Sequence, residues 1–251
     1  MIKSLACVLI SSSVCFGQTA TVTPTENFVD NISICDTFTL VNYKSGELPN
    51  SDTTLFQLVQ GVNYKINDSF TASLDIPVYI DDNTDLGSIG LDLIWNAWKN
   101  DSISFAFNVG VNSPMETDFG ASSVDPTLGG VVTYLLPWSG AKFVQTVNYE
   151  FVTGDAYSLP FGSKVSDDIL TADSSIVCPL GDKFNVGATV WQNYTVSDNG
   201  QQNILMGPNA QWNITDNVNL NGSVAIPVYQ NVNASAEQNY VMSASLSIKF
   251  Y

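Results

Sequence analysis

Charged side chains within the alternating segments of this chain are the first candidates for function. They fall on the polar side of those segments, where every second residue of a strand faces the same way. In a strand that borders water, such residues can line a pore and set its ion preference. Alternatively, they pair across a narrow barrel and fill it. The eight residues are Lys65, Asp75, Asp92, Lys142, Glu150, Asp173, Lys183 and Lys249.

The residue types that are missing limit the reactions and ligands that this chain could support. The 251-residue chain has 8 Lys plus Arg against 24 Asp plus Glu, a formal net charge of −16, and no histidine. Neutralising phosphates requires Lys and Arg, so nucleic acid is excluded as a partner. Without histidine the usual hydrolase triad cannot be built, and the commonest general base and catalytic metal ligand are absent. We therefore expect a protein that is not an enzyme and that carries no cofactor.

Acidic residues in the connections are a second candidate, for binding a divalent cation through oxygen ligands. Solvated loop charge is the commoner role of such residues, and we expect no metal site. The residues concerned are Asp81, Asp82, Asp85, Asp167 and Asp168.

The elements that position these residues are strands with one apolar and one polar side. Strict alternation runs through residues 70–78, 103–111, 184–190 and 218–226. The polar side is small and rich in amides, while charges concentrate in the connections. This pattern favours an apolar face in lipid and a wet interior, which is typical of a transmembrane barrel.

Short turns and long connections alternate along the chain. This asymmetry is typical of membrane barrels with short periplasmic turns and long outer loops. It predicts an all-β, antiparallel, up-and-down transmembrane β-barrel of about twelve strands, each about 10 to 13 residues long. The tight turns lie at 67–68, 99–101, 137–140, 181–182 and 215–217, and the long connections near 44–53, 81–88, 113–125, 153–168, 197–203 and 230–239.

The last stretch, Tyr240 to Tyr251, reads as a strand that closes the barrel. Its apolar side ends at Phe250, and Tyr251 lies one step beyond that register. Closure removes the open edge that such a strand would otherwise present. The terminal aromatic predicts a contact with the outer-membrane assembly machinery.

Aromatic residues form two predicted belts at the membrane interfaces. Tyr79 and Tyr229 fall on the polar side instead, so they either line the pore mouth or turn outward at the neighbouring Pro77 or Pro227. The predicted interfacial residues are Trp95, Trp98, Trp138 and Trp212 beside the short turns, and Tyr149 and Tyr194 near the long loops.

The first 17 residues have an early lysine, a short apolar run and small residues, as in a secretory signal peptide. Cleavage up to residue 20 fits as well, and residues 18–33 read as a periplasmic leader before the barrel domain, residues 34–251. Two cysteines remain after cleavage, Cys35 and Cys178. They lie in strands that are not adjacent in order, so a disulfide between them is not expected.

Two hairpins carry a resemblance to a known family. Residues 61–79 begin with Gly-Val-Asn-Tyr-Lys-Ile-Asn-Asp-Ser-Phe and end in Ile-Pro-Val-Tyr. Residues 207–233 follow a similar pattern of strand and turn residues and contain a second Ile-Pro-Val-Tyr. With the terminal Ile-Lys-Phe-Tyr, this resembles the outer-membrane barrels of the phenol-degradation-pathway, or transporter-like, family. The resemblance implies a bacterial-type outer-membrane barrel that passes small solutes.

Three functions fit the sequence. The first is an outer-membrane pore for passive diffusion of small solutes, weakly cation-preferring because its mouth is acidic. The second is a closed structural or adhesive barrel that presents acidic extracellular loops. The third is a secreted soluble β-sandwich. For the first two, the expected partners are membrane lipid and, for the pore, small solutes.

Overall fold

Alternation of side chains gives this protein an entirely β architecture. The computed structural model describes residues 31–43, 54–80, 84–115, 117–137, 139–158, 163–197, 200–232 and 237–250. The regular structure of these residues consists of fifteen strands. None of the described residues belongs to a helix long and apolar enough to cross a membrane.

Twelve of the strands are long, from 9 to 14 residues. Three short strands, β4 (Thr84–Leu86), β9 (Ala156–Ser158) and β10 (Ser163–Val165), lie in the connections. The long strands are β1 (Ile32–Tyr43), β2 (Thr54–Lys65), β3 (Phe70–Ile80), β5 (Gly90–Lys99), β6 (Ile103–Asn112), β7 (Asp125–Leu135), β8 (Lys142–Glu150), β11 (Ile169–Pro179), β12 (Phe184–Thr195), β13 (Gln202–Asn213), β14 (Val218–Asn231) and β15 (Gln238–Phe250).

The long strands form one closed antiparallel sheet. Each pairs with the next long strand in sequence, and β1 pairs with β15 from Ile32 opposite Phe250 to Asn42 opposite Tyr240. The predicted twelve-stranded barrel is therefore confirmed, and the terminal strand closes it. The β-sandwich alternative is wrong, because a single closed sheet replaces two packed sheets.

Turn chemistry fixes one end of the barrel, which we call the tight-turn end; the opposite end is the long-loop end. The side-chain oxygens of Asn67, Asn100 and Thr215 each accept hydrogen bonds from two backbone N–H groups that follow them. The two other turns contain Gly140 and Gly181 with φ of 66° and 82°, a conformation that favours glycine.

The two faces of the wall have opposite character. Apolar side chains on the outer face are exposed, as Leu91 at 52% and Ile226 at 58% show. Polar residues of the same strands point inward, and in β3 Thr71, Ser73 and Asp75 are buried while their apolar neighbours are not. A strand that borders a core would place these faces the other way round.

Both Ile-Pro-Val-Tyr segments mark places where a strand ladder ends. The β3–β5 ladder ends at Asp75 opposite Gly90, and the β14–β15 ladder ends at Ala225 opposite Val241, each two residues before a proline. Proline has no N–H to continue a ladder. In the first segment, β4 replaces β5 as the partner of Val78.

The two tyrosines of these segments face opposite sides of the barrel wall. Tyr79 keeps its register and is buried inside the barrel. On β14, Val228 is an extra residue between the pairs Tyr229–Ile204 and Pro227–Leu205, so this bulge turns Tyr229 to the exposed outer face.

Replacing Asn100 with alanine tests the turn chemistry. The variant loses two hydrogen bonds to the backbone of Ser102 and Ile103, so the free energy of unfolding in detergent should fall by about 1 kcal/mol. Urea-dependent tryptophan fluorescence measures this change. Asp101→Ala in the same turn is the control, and an equal loss in both variants would contradict the role of Asn100.

Candidate functional site

A layer of apolar side chains fills the barrel interior near the long-loop end. Its members come from β1, β2, β3 and from β12 to β15, so the layer reaches across the lumen. Trp191 on β12 is fully buried in it. We call this set the apolar layer: Val41, Tyr43, Leu55, Tyr79, Phe119, Trp191, Leu205, Ala225 and Val241.

Phe119 is the one member of the apolar layer that belongs to a connection rather than to a strand. It lies between β6 and β7 and is only 2% exposed. Its ring stacks on Tyr79 with centroids 4.7 Å apart and meets the edge of Tyr157 at 4.8 Å. Tyr157, in the short strand β9, also meets Tyr79 edge-on at 5.4 Å. Two connections thus fold inward over the lumen.

Hydrogen bonds link the connections that cover this end, and we call their described residues, 84–89, 113–115, 117–124, 151–158 and 163–168, the lid. Ala121 N donates to Ser88 Oγ at 2.7 Å, joining the first two connections. Ser122 N donates to Asp155 O at 2.7 Å, and Lys164 Nζ donates to Thr117 O at 3.0 Å, joining the last two. The lid is therefore one connected unit.

Asp125 anchors the lid to the wall. It is fully buried as the first residue of β7, and its Oδ1 accepts hydrogen bonds from Thr153 N at 2.8 Å and from Ser123 Oγ at 3.2 Å. The sequence predicted Asp125 to end an acidic loop. A carboxylate that binds the backbone of a second loop has a structural role in addition to its charge.

Beneath the lid, three carboxylates face the lumen from one part of the wall, and we call them the acid row: Asp75 on β3, Asp92 on β5 and Glu150 on β8. Asp75 and Asp92 are buried. Asp92 pairs with Gly110, Gly110 with Thr127 and Thr127 with Glu150 in successive ladders. This register carries the acids around a quarter of the barrel.

Neutral donors stabilise the acid row. Asn112 Nδ2 donates to Glu150 Oε1 at 2.5 Å, and Asn108 and Thr127 donate to Asp92 Oδ1 at 3.4 Å. Asp92 also interacts unfavourably with the like charges of Asp75 and Glu150. The row therefore gathers three acidic side chains in one part of the lumen wall.

Glycines opposite the acid row make space for its side chains. A Cβ at Gly61 would lie 2.8 Å from Asp75 Oδ1, and a Cβ at Gly110 would overlap Asp92 Oδ1. The two carboxylates therefore lie along the wall instead of projecting into the lumen. At this level a small pocket with both polar and apolar lining lies between β6 and β11.

The other predicted lumen charges occupy two places. Asp173 is buried on β11, and its Oδ1 has no hydrogen-bond partner within the described residues. Lys65, Lys142 and Lys249 face inward at the tight-turn end, where Lys65 Nζ forms an ion pair with Asp68 Oδ1 at 2.6 Å.

Lys183 departs from the sequence prediction. Because β12 begins at Phe184, Lys183 lies in the turn, where it is exposed and donates to Ile214 O of the next turn at 3.4 Å. The structure therefore places it at the rim of the barrel and outside the interior.

The predicted interfacial aromatics that the structure describes lie on the outer face. Trp95 and Trp98 are about half exposed and lie near Phe107 and Phe105, with ring centroids 6.0 Å and 5.7 Å apart. Trp212 is also exposed at the tight-turn end. Tyr149 and Tyr194 lie near the long-loop end, and Tyr149 donates to Asp168 Oδ2 at 2.7 Å. Trp138 lies outside the described residues.

Two further sequence candidates can be placed. Of the loop acids, Asp81 and Asp82 lie outside the described residues, and no group of acidic or cysteine side chains within the described part has geometry suited to a metal ion. Cys35 and Cys178, both described, are not joined by a disulfide; Cys35 faces the interior and Cys178 is exposed.

Phe119, Tyr157 and Trp191 are functional candidates that the sequence analysis missed. Phe119 and Tyr157 are large aromatics within connections that otherwise read as polar and acidic, which is a signal for an inward-folded loop. Trp191 lies on the inward register of β12, where a large apolar residue breaks the amide-rich pattern. Such interruptions of the polar pattern mark the part of the lumen that apolar side chains fill.

Solved structures that share this fold include an outer-membrane channel and two porins. An outer membrane channel from Pseudomonas putida F1 gives a TM-score of 0.61 at 12% identity, covering 92% of this chain and 100% of that one. The NanC porin gives 0.57 at 11%, covering 88% and 99%. The KdgM porin, in complex with disordered oligogalacturonate, gives 0.55 at 10%, covering 87% and 99%. At these identities the likeness shows a shared fold.

No curated protein matches the sequence of this chain. A family model described as "Putative MetA-pathway of phenol degradation" matches residues 36–250. This confirms the resemblance that the two Ile-Pro-Val-Tyr hairpins carry. Because the match spans most of the chain, the protein belongs to this family.

Proposed function

We propose that this protein is an outer-membrane pore for small solutes with a weak preference for cations. One observation carries the proposal: a closed barrel exposes apolar side chains outside and holds polar ones inside. Only a closed barrel satisfies all backbone hydrogen bonds of strands in lipid. Family membership and the shared fold with outer-membrane channels support the same location.

The acid row supports the cation preference. Asp75, Asp92 and Glu150 belong to one part of the lumen wall, and the donors that bind Asp92 and Glu150 are neutral amides and a hydroxyl. The lysines that face the lumen lie at the tight-turn end. A cation therefore meets a favourable potential in the middle of its path, while an anion meets a barrier.

The apolar layer favours a second candidate, a closed barrel with a structural or adhesive role. The layer joins both halves of the wall through Phe119, so the long-loop end is closed in this conformation. A pore requires the lid to move. Hydrogen bonds of Ser88 and Asp155 hold the lid together, and Asp125 ties it to the wall. Opening therefore means breaking polar contacts and the aromatic stack.

Ion selectivity tests the acid row. In a planar bilayer with a salt gradient, the refolded protein should give a cation-favouring reversal potential. The double variant Asp92→Asn, Glu150→Gln removes two lumen charges and keeps side-chain size, so its reversal potential should move toward zero. Asp216→Asn in an exposed tight turn is the matched control. A wild-type channel that favours anions, or a double variant with unchanged selectivity, would refute the assignment.

Conductance of Phe119 variants separates the pore from the closed barrel. Phe119→Ala removes the ring that completes the apolar layer, at a stability cost of about 3 to 5 kcal/mol, and should raise the conductance or the open fraction. Phe119→Leu keeps apolar volume and should stay near the wild type. If both variants insert stably and neither carries current, the open-pore proposal fails and the closed barrel stands.

A further inference from the structure

Two polar side chains interrupt the apolar outer face of the barrel where β1 meets β2. Asp36 and Gln60 lie directly opposite each other in the β1–β2 ladder. Both face outward, because their chain neighbours, such as Cys35 and Thr37, are buried inside the barrel. We call Asp36 and Gln60 the outer polar pair.

Asp36 is the only acidic residue of the twelve long strands that faces outward. A carboxylate on the lipid side of a barrel wall destabilises the protein unless something binds it, so such a residue marks a functional site. The acids of the other long strands face the lumen: Asp75, Asp92, Asp125, Glu150 and Asp173.

The outer polar pair lies inside the apolar band, away from both rims of the barrel. At 3.3 Å per residue, Asp36 is roughly 13 Å along β1 from Ile32 at the tight-turn end and roughly 20 Å from Asn42 at the other end. The apolar band of such a barrel is about 25 Å tall, so neither side chain reaches the headgroups. The outward residues next to the pair on the same two strands are apolar: Ile34, Phe38, Leu58 and Val62.

Neither member of the outer polar pair is satisfied by its own barrel. Although Asp36 and Gln60 are opposite each other, no hydrogen bond joins them, and neither side chain has a partner within the described residues. Gln145 and Ser174 hold the same arrangement on the outer face of β8 and β11, and there Ser174 Oγ donates to Gln145 Oε1 at 2.5 Å. Leaving polar groups unpaired in an apolar medium costs free energy, so the outer polar pair needs a partner from outside the barrel.

A second copy of this chain supplies that partner at the right depth. A twofold axis along the membrane normal keeps every residue at the same depth in both copies and repeats every contact. With the axis between β1 and β2, the Asp36 carboxylate of each copy accepts a hydrogen bond from the Gln60 amide of the other. The exposed side chains of Phe38 and Val62 then pack against apolar residues of the second copy.

We propose that the β1–β2 face binds a second copy of the chain, forming a twofold dimer in the membrane around Asp36 and Gln60. Two polar contacts at the centre and an apolar surround give this surface both orientation and packing. The dimer does not depend on whether the lumen conducts, so the proposal is independent of the pore.

Single-molecule photobleaching in phospholipid vesicles counts the copies directly. The refolded full chain carries one fluorophore on Cys178, which is exposed on the far side of the barrel from β1 and β2, whereas Cys35 is buried. Complexes that bleach in two steps should increase with the protein-to-lipid ratio and yield a dissociation constant. A chain that bleaches in one step at every ratio is a monomer and overturns the proposal.

Asp36→Leu removes the acceptor from both central contacts. The dissociation constant of the dimer should rise about thirtyfold, because two hydrogen-bonded contacts are lost. Thermal stability of the variant should hold or rise, since a carboxylate leaves the lipid face. Gln60→Leu is the second variant and should weaken the dimer in the same way, so the test remains if one of the two fails to fold.

Gln145→Leu is the matched control, because Gln145 is also an outward amide but is bound within its own barrel. It should dimerise as the wild type does. An equal weakening in Asp36→Leu and Gln145→Leu would overturn the assignment of the interface. Lower stability of Asp36→Leu with an unchanged dissociation constant would make Asp36 structural only, and would also overturn it.

Exchanging the two residues gives the most specific outcome. Gln60→Asp alone places carboxylates against each other across the axis and should abolish the dimer. The double variant Asp36→Gln, Gln60→Asp restores one amide and one carboxylate to each contact and should recover the dimer. Failure of the exchange to recover a dimer that Gln60→Asp has lost would contradict a direct contact between Asp36 and Gln60.

Discussion

Closure between the first and last strands is the constraint on which the rest of this structure depends. Ile32 lies opposite Phe250, and the ladder continues for most of both strands. Without that ladder, two rows of backbone N–H and C=O groups would face lipid unpaired, at several kcal/mol for each group. Closure also divides the side chains into two sets, because alternate residues of every strand must face either lipid or lumen.

That division determines which side chains line the interior. With apolar residues assigned to the outer face, the lumen receives small polar residues, a few acids and many amides. Register then aligns residues that are distant in the sequence, so that Asp92 and Glu150 share one row and Asn148 and Asn193 the next. Glycines at Gly110 and Gly129 let long polar side chains lie along the wall. The lumen wall therefore remains polar below the lid.

Much of the barrel could be predicted from the sequence, since alternation, turn chemistry and turn spacing are local properties. The number of strands followed from the spacing of the turns, and the closing strand and the inward face of Asp75, Asp92 and Asp173 followed from the two-residue period. The lid did not follow, because inward folding of Phe119 depends on contacts with Tyr79 and Tyr157 from distant connections. The outward direction of Tyr229 depends on a bulge at Val228, and the position of Lys183 depends on where β12 begins. A periodic pattern predicts neither a bulge nor the exact first residue of a strand.

Thiol accessibility along the terminal strand tests directly whether its side chains alternate between lipid and a wet lumen. Single cysteines are placed at residues 242 to 247 in a chain with Cys35 and Cys178 replaced by serine, and the protein is reconstituted in lipid vesicles. A water-soluble thiol reagent small enough to enter the lumen should label the inward positions Ser243 and Ser247 and spare the outward positions Met242, Ala244 and Leu246. Labelling at every position, or at none, would contradict a barrel with a lipid-facing exterior and a wet interior.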